Sequence, residues 1–382
     1  GDFTIGGTAE LTVDGDWTVS DGNTYIVSAP IIDNGSSTTY DIASGGVLNI
    51  QNLADKDGGT DTYTKIGAGT LILDVNTGGA HSLVVSDGTL TLDASGAGGG
   101  NATVQNGAEL RATVADGLNL SGLTIEAGGL VTVTANTTRG GTGGEPVFKG
   151  GELNLQNGAV FGDWGGGATT FMTYTAGEGE QAQITGDGSI DPGSNTRRID
   201  VADDTTLDVE MRVDVPVISS DTTFVKQGAG TLAFNGANTY TAVTAVDAGT
   251  LLINGTTSGQ GNYTVASGAT LGGSGTIGLA GGESVTVNSG GTLAVGMTNS
   301  IAQFTLGGEL DLDGTLAIEV NDGTTPGTHF DQLVVNGGVD IDGATLSTAG
   351  AVSSEGDVVI IDNDDLDAVT GVFSGLTEGA RL

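Results

Sequence analysis

Lys65-Ile-Gly-Ala-Gly-Thr-Leu71 returns as Lys226-Gln-Gly-Ala-Gly-Thr-Leu232, and a fixed beat follows each copy. Turn glycines stand at Gly69, Gly88 and Gly107 after the first copy, and at Gly230, Gly249 and Gly268 after the second, every step being 19 residues. Between the glycines apolar residues alternate with Thr, Asp and Glu, as in Leu90-Thr-Leu92 and Leu310-Asp-Leu312. Period-two alternation makes a strand with one dry and one wet face. A repeat near 20 residues stacks such strands into a solenoid. Leu71, Leu90 and Leu110, and again Leu232, Leu251 and Leu271, are then expected to form internal ladders.

The two copies also agree in detail. In each, the third turn carries one extra residue, Gly107-Ala-Glu-Leu110 against Gly268-Ala-Thr-Leu271, and the offset between copies stays at 161 residues. This is a duplicated three-coil unit. The expected fold is all-β, a right-handed parallel β-helix with coils of about 19–24 residues and almost no α-helix. Asp-Gly and Asn-Gly pairs fill the corners, because these residues tolerate the positive φ that tight turns need. The alternation Leu207, Val209, Met211, Val213, Val215 predicts one more strand, with Glu210 on its wet face.

Among 382 residues there are 70 glycines, no cysteine and a formal charge of −37. The missing cysteine excludes disulfides and thiolate metal sites. The acidity repels nucleic acid and anionic membrane surfaces. No apolar run reaches the ~18 residues of a membrane-spanning helix. The composition suits an exported bacterial surface protein.

Three stretches break the beat: 136–150, 161–200 and 321–332. Residues 136–150 read as a long loop and 161–200 as irregular coils or a loop excursion, within a β-helix covering 1–305. Residues 306–382 read as a C-terminal end region of the helix, expected to continue beyond Leu382.

The phrase Gly-Ala-Gly-Thr-Leu, followed by Asn238-Thr-Tyr-Thr241 and Asp247-Ala-Gly-Thr-Leu251, resembles the passenger-associated transport repeat of bacterial autotransporters. The stretch from Lys65 to Leu92 resembles it too, with Val75-Asn-Thr-Gly-Gly-Ala80 in place of the Tyr-Thr turn. Gly314-Thr-Leu-Ala-Ile-Glu-Val320, Phe330-Asp-Gln-Leu-Val-Val-Asn-Gly337 and Gly343-Ala-Thr-Leu346 resemble the end region of such passengers. The resemblance implies a right-handed parallel β-helix displayed outside the cell, and implies no catalytic activity.

Catalytic motifs are not evident. His81 and His329 stand without a partner motif, and both read as surface histidines. Paired acids such as Asp203-Asp204 read as solvated corners. Calcium is the most reasonable cofactor, since it takes several oxygen donors in a loop. Asp362, Asp364, Asp365 and Asp367 supply four carboxylates within six residues. Trp164 and Tyr174 are candidate ligand contacts on the excursion. The leading expectation is a non-enzymatic extracellular rod that self-associates end to end into a bacterial surface fibre, layer or matrix. The alternative is a monomeric autotransporter-type passenger, an adhesin whose loops meet a surface glycan or host ligand.

Overall fold

A computed structural model describes the chain apart from residues 1, 10, 14, 34–36, 56–60, 75–80, 97–98, 119, 141–143, 166–169, 194–195, 219–222, 260, 280–281, 322, 351–356, 365–366 and 378–382. The side chains of 12–13, 32–33, 54–55, 138–140 and 163–165 also lie outside it. The described residues form short strands joined by turns, with no α-helix. The fold is an all-β parallel solenoid. It divides into two compact units, Gly1–Gly193 and Ser194–Leu382. That division falls at 193/194, whereas the sequence placed one at 305/306.

In the first unit one wall holds nine parallel strands, from Phe3–Ile5 to Ala182–Gly186. A second wall holds eight, from Trp17–Val19 to Thr170–Tyr174. The expected ladder is present: Leu48, Leu71, Leu90, Leu110, Val131, Leu153 and Ile184 pair in register from coil to coil. All of them are buried. Each leucine so placed contributes about 2–3 kcal/mol by leaving water.

The second unit repeats the plan. Its first wall runs from Met211–Val213 to Thr345–Ala349, with the ladder Met211, Leu232, Leu251, Leu271, Leu293, Leu316 and Leu346. Residues one position earlier form a threonine column, Thr231, Thr250, Thr270, Thr292, Thr315 and Thr345, on the opposite face of the same strands. Eight strands from Arg197–Val201 to Val369–Thr370 make its second wall. Six short strands from Ala237–Asn238 to Ile361–Asn363 make a third.

Two expectations change. Residues 136–150 are not one long loop, since strands occupy Thr137–Gly140 and Pro146–Lys149, and 161–200 takes the form of irregular coils, with strands Val160–Gly165, Thr170–Tyr174, Ala182–Gly186, Ser189–Asp191 and Arg197–Val201. The irregular spacing of their glycines hid coils of unequal length. The strand expected over 207–215 is confined to Met211–Val213. Glu210 is buried rather than wet. It holds the register position opposite Thr231, on the outer face of the wall, and is covered there while its carboxylate accepts from Asp204 N at 3.1 Å and Thr231 N at 2.6 Å. The described part of 321–331 is a loop, closed by an antiparallel bridge between Val320 and Phe330 and leading into the strand Gln332–Val335.

Candidate functional site

The charged groups with the most defined surroundings are the two lysines of the repeated phrase. Lys65 is the penultimate residue of the strand Thr62–Ile66, in phase with the buried Tyr63. It sits in a core column between Tyr40 and Val85. Lys226 sits likewise between Ile199 and Val246. Their aliphatic stems fill apolar space and their ammonium groups emerge at the corner.

Both ammonium groups find the same partners. Lys65 Nζ donates to the carbonyls of Ile66 at 2.9 Å, Gly67 at 2.5 Å and Asp87 at 3.1 Å. Lys226 Nζ donates to Gln227 at 2.8 Å, Gly228 at 2.8 Å and Ala248 at 3.1 Å. Two acceptors belong to the lysine's own corner and the third to the corner of the next coil. The three protons of an ammonium match three acceptors. Burial lowers Lys65 to about 8, opposed by the carboxylates of Asp87 and Asp41. Burial lowers Lys226 to about 8 as well, opposed by Asp200 and Glu210.

Glycine is obligatory around these groups. Gly67 and Gly228 have φ of +73° and +76°. A Cβ there would stand 2.5 Å from the Ile42 carbonyl oxygen and 2.2 Å from that of Val201. At Gly69 and Gly230 it would meet the carbonyls of Ala43 at 2.3 Å and Ala202 at 2.5 Å. The corner therefore lies directly on the preceding coil.

Another buried charge is Asp331, which fastens the 321–332 segment. Its two carboxylate oxygens accept Ala302 N and Glu319 N, each at 2.7 Å. Burial raises its pKa to about 6, while those two hydrogen bonds oppose the rise. On an outer strand face, Asp311 is raised by partial burial and by the nearby Asp313 and Asp340 carboxylates. Asp311 and Asp340 are in-register partners on adjacent coils.

A shallow groove of about 210 Å³ lies in the first unit, lined by Gly128, Gly129, Gly151, Glu152, Glu180 and Gln183 among others. Beside it Glu152 accepts from Asn154 at 3.1 Å and from Thr185, so that carboxylate is engaged within the wall.

The residues singled out from sequence scatter. Asp362, Asp364 and Asp367 are exposed in the last coil, and Asp365 lies outside the described residues. Among the described residues no group of three His, Cys, Asp or Glu could hold a metal. Trp164 lies on the strand Val160–Gly165, its side chain outside the description. Tyr174 is not a loop contact. It closes the strand Thr170–Tyr174, is buried, and donates its hydroxyl to the Glu180 carbonyl at 3.1 Å. Its apolar ring serves the core while its hydroxyl satisfies a turn. His81 is not at the surface either: it is buried and stacked on Tyr63 with centroids 4.9 Å apart. His329 remains on its loop, where its Nδ1 faces Thr325 N at 3.4 Å.

Neither lysine is singled out as functional by sequence. The available signal was their phase, two residues after Tyr63 and Phe224 on the inward side. No curated protein matches the chain. The family model of the Passenger-associated-transport-repeat matches residues 64–92 and 224–253, the two segments that each run from a buried lysine corner through the strand of the following coil.

Proposed function

We propose that the chain is a non-enzymatic structural passenger, exported and displayed at a bacterial cell surface as a right-handed β-helix that associates with further copies end to end. Two transport repeats on a parallel β-solenoid fit a structural protein of the autotransporter-passenger kind. The buried charges support this reading, since Lys65, Lys226, Glu210 and Asp331 are each engaged by backbone groups.

One observation carries the self-association. Successive coils meet through parallel strand edges and in-register columns, as Leu232, Leu251 and Leu271 do, and a coil of another copy would be received in the same way. Parallel strand edges accept another parallel coil, and a head-to-tail contact that does not close yields filaments. A charge of −37 disfavours sideways packing and so favours contact through the ends.

Electron microscopy of the purified chain over a concentration series tests the reading, with and without calcium, which the Asp362, Asp364, Asp365 and Asp367 segment would take up. Filaments with a regular axial repeat are expected. Single particles at every concentration, in both conditions, defeat self-association. The adhesin reading rests on the polar groove at Glu152, Glu180 and Gln183. A glycan-array signal lost in Trp164→Ala or Glu180→Ala would favour it.

A further inference from the structure

A solenoid of similar coils has a problem of frame. The strand Thr231–Phe234 is followed on its edge by Thr250–Ile253. One coil further on, Thr270–Gly273 offers the same Thr-Leu start to the same columns. With one coil looped out, the backbone ladder and the leucine column could both still close. The first unit has the same ambiguity, since Thr70 pairs with Thr89 and Thr89 with Glu109. The apolar pattern fixes which face each strand turns to the core, but not which of two like coils supplies the partner.

We propose that Lys65 and Lys226 set the frame, each admitting only the coil that immediately follows it. The geometry is specific. Each ammonium takes its third acceptor from the next corner, Asp87 O or Ala248 O. A coil arriving without a carbonyl there leaves a buried ammonium one partner short, which is costly. The skipped-to coil enters through a different corner, because Gly107-Ala-Glu-Leu110 and Gly268-Ala-Thr-Leu271 are one residue longer than Gly88-Thr-Leu90 and Gly249-Thr-Leu251.

The fit of the glycines differs in the same sense. A Cβ on Gly88 would meet the Gly67 and Gly69 carbonyl oxygens, both at 2.5 Å. On Gly249 it would meet those of Gly228 at 2.4 Å and Gly230 at 2.5 Å. On Gly107 or Gly268 it would meet nothing within 4 Å. The lysine corner and the corner after it are thus a matched pair that the third corner does not reproduce. Stability alone does not require the charge, since an unbranched apolar side chain could fill the column between Ile199 and Val246. The ammonium instead penalises the wrong partner.

The absence of cysteine makes the test clean. In-register neighbours on adjacent parallel strands lie ~4.8 Å apart, within disulfide reach, while positions two coils apart lie ~9.6 Å apart and beyond it. The pair Thr231→Cys/Thr250→Cys therefore reports the native frame, and Thr231→Cys/Thr270→Cys reports a skipped coil. Each pair is placed in the full chain with Lys226 or with Lys226→Met. The chains are unfolded in denaturant, refolded under oxidising conditions and scored for cross-links by mass spectrometry. With Lys226 only the native pair should close. With Lys226→Met its closure should fall about twofold or more and the skip pair should appear, as repeat proteins misassemble when frames compete. The β signal in circular dichroism should persist.

Thr70→Cys/Thr89→Cys and Thr70→Cys/Glu109→Cys repeat the test in the first unit with Lys65→Met. A skip pair that stays open in both methionine variants, with native closure unchanged, overturns the proposal. Loss of the β signal in both also overturns it, since the lysines would then be stabilisers and not discriminators.

Discussion

The two lysine corners share their backbone and differ in what surrounds it. Both bind three carbonyls, both rest glycines on the preceding coil, and both lysines are lowered to about 8. Behind Lys65 the core stacks Tyr63 on His81 and sets Tyr40 edge-on to Tyr63. Behind Lys226 it packs Phe224 against Phe234 and Tyr240, and a buried hydroxyl pair joins Tyr240 to Tyr263 at 2.9 Å. Beneath the second corner lies Glu210, where the first has Val47 at the corresponding register position. A repeat of this kind is therefore defined by its corner. The core behind it needs only apolar volume of the right size, which many side chain sets supply.

The sharpest way to break the comparison is to crowd the matched glycines. Gly249→Ala places a Cβ 2.4 Å from a carbonyl oxygen at a φ of +63°. Crowding and left-handed strain together should cost about 3–5 kcal/mol. Gly88→Ala, at +66°, should cost the same. Gly268→Ala and Gly107→Ala have positive φ but open space, and should lose only about 1–2 kcal/mol. Denaturant midpoints of the four variants decide the matter, and four equal values would mean that the corners are not matched pairs.

The ladders come next. Leu251→Ala and Leu90→Ala each empty one step of a fully stacked column and should cost about 2–5 kcal/mol. Because each coil rests only on its neighbours, hydrogen exchange should rise in the mutated coil and the two beside it, leaving distant coils unchanged.

A smaller effect separates the copies. Glu210→Ala strands the buried N–H of Asp204 and the half-buried N–H of Thr231, and should cost about 2–4 kcal/mol. It should also lower the Lys226 pKa further, since Glu210 supports that charge. Val47→Ala in the first copy should leave Lys65 unmoved. Chemical-shift titration of the two Nζ groups reads both outcomes.

The leucine columns were legible because a glycine fixes where each coil restarts, so the phase of Gly-Thr-Leu carries from coil to coil. Lys65 and Glu210 were not legible, because a charged residue in an alternating strand is ordinarily assigned to water. Each is buried for the backbone's sake: corners expose carbonyls and N–H groups that no neighbouring strand can satisfy. Tyr174 was misplaced for a related reason. Phe171 and Met172 are adjacent and both buried, which breaks the alternation that would have shown Tyr174 inward.

The smallest expected effects are in pH dependence, and they have opposite signs at the lysines and at Asp331. A lysine lowered to about 8 when folded, against 10.5 when unfolded, leaves the unfolded chain holding more protons between those values. Stability should therefore rise with pH across that window, by about 1 kcal/mol or less per lysine after solvent screening. Lys65→Met and Lys226→Met should each flatten that rise, and by similar amounts if the corners are equivalent. Asp331 is raised to about 6 from 3.8, so the folded chain holds more protons between those values. Its contribution should fall as pH climbs from 3.8 to 6, and Asp331→Asn should remove that slope while leaving the alkaline one intact. Thermal melts at half-unit pH steps separate the two windows. A wild-type chain whose stability falls between pH 8 and 10.5, with the methionine variants following the same curve, would show that the carbonyls outweigh burial and keep the ammonium charged.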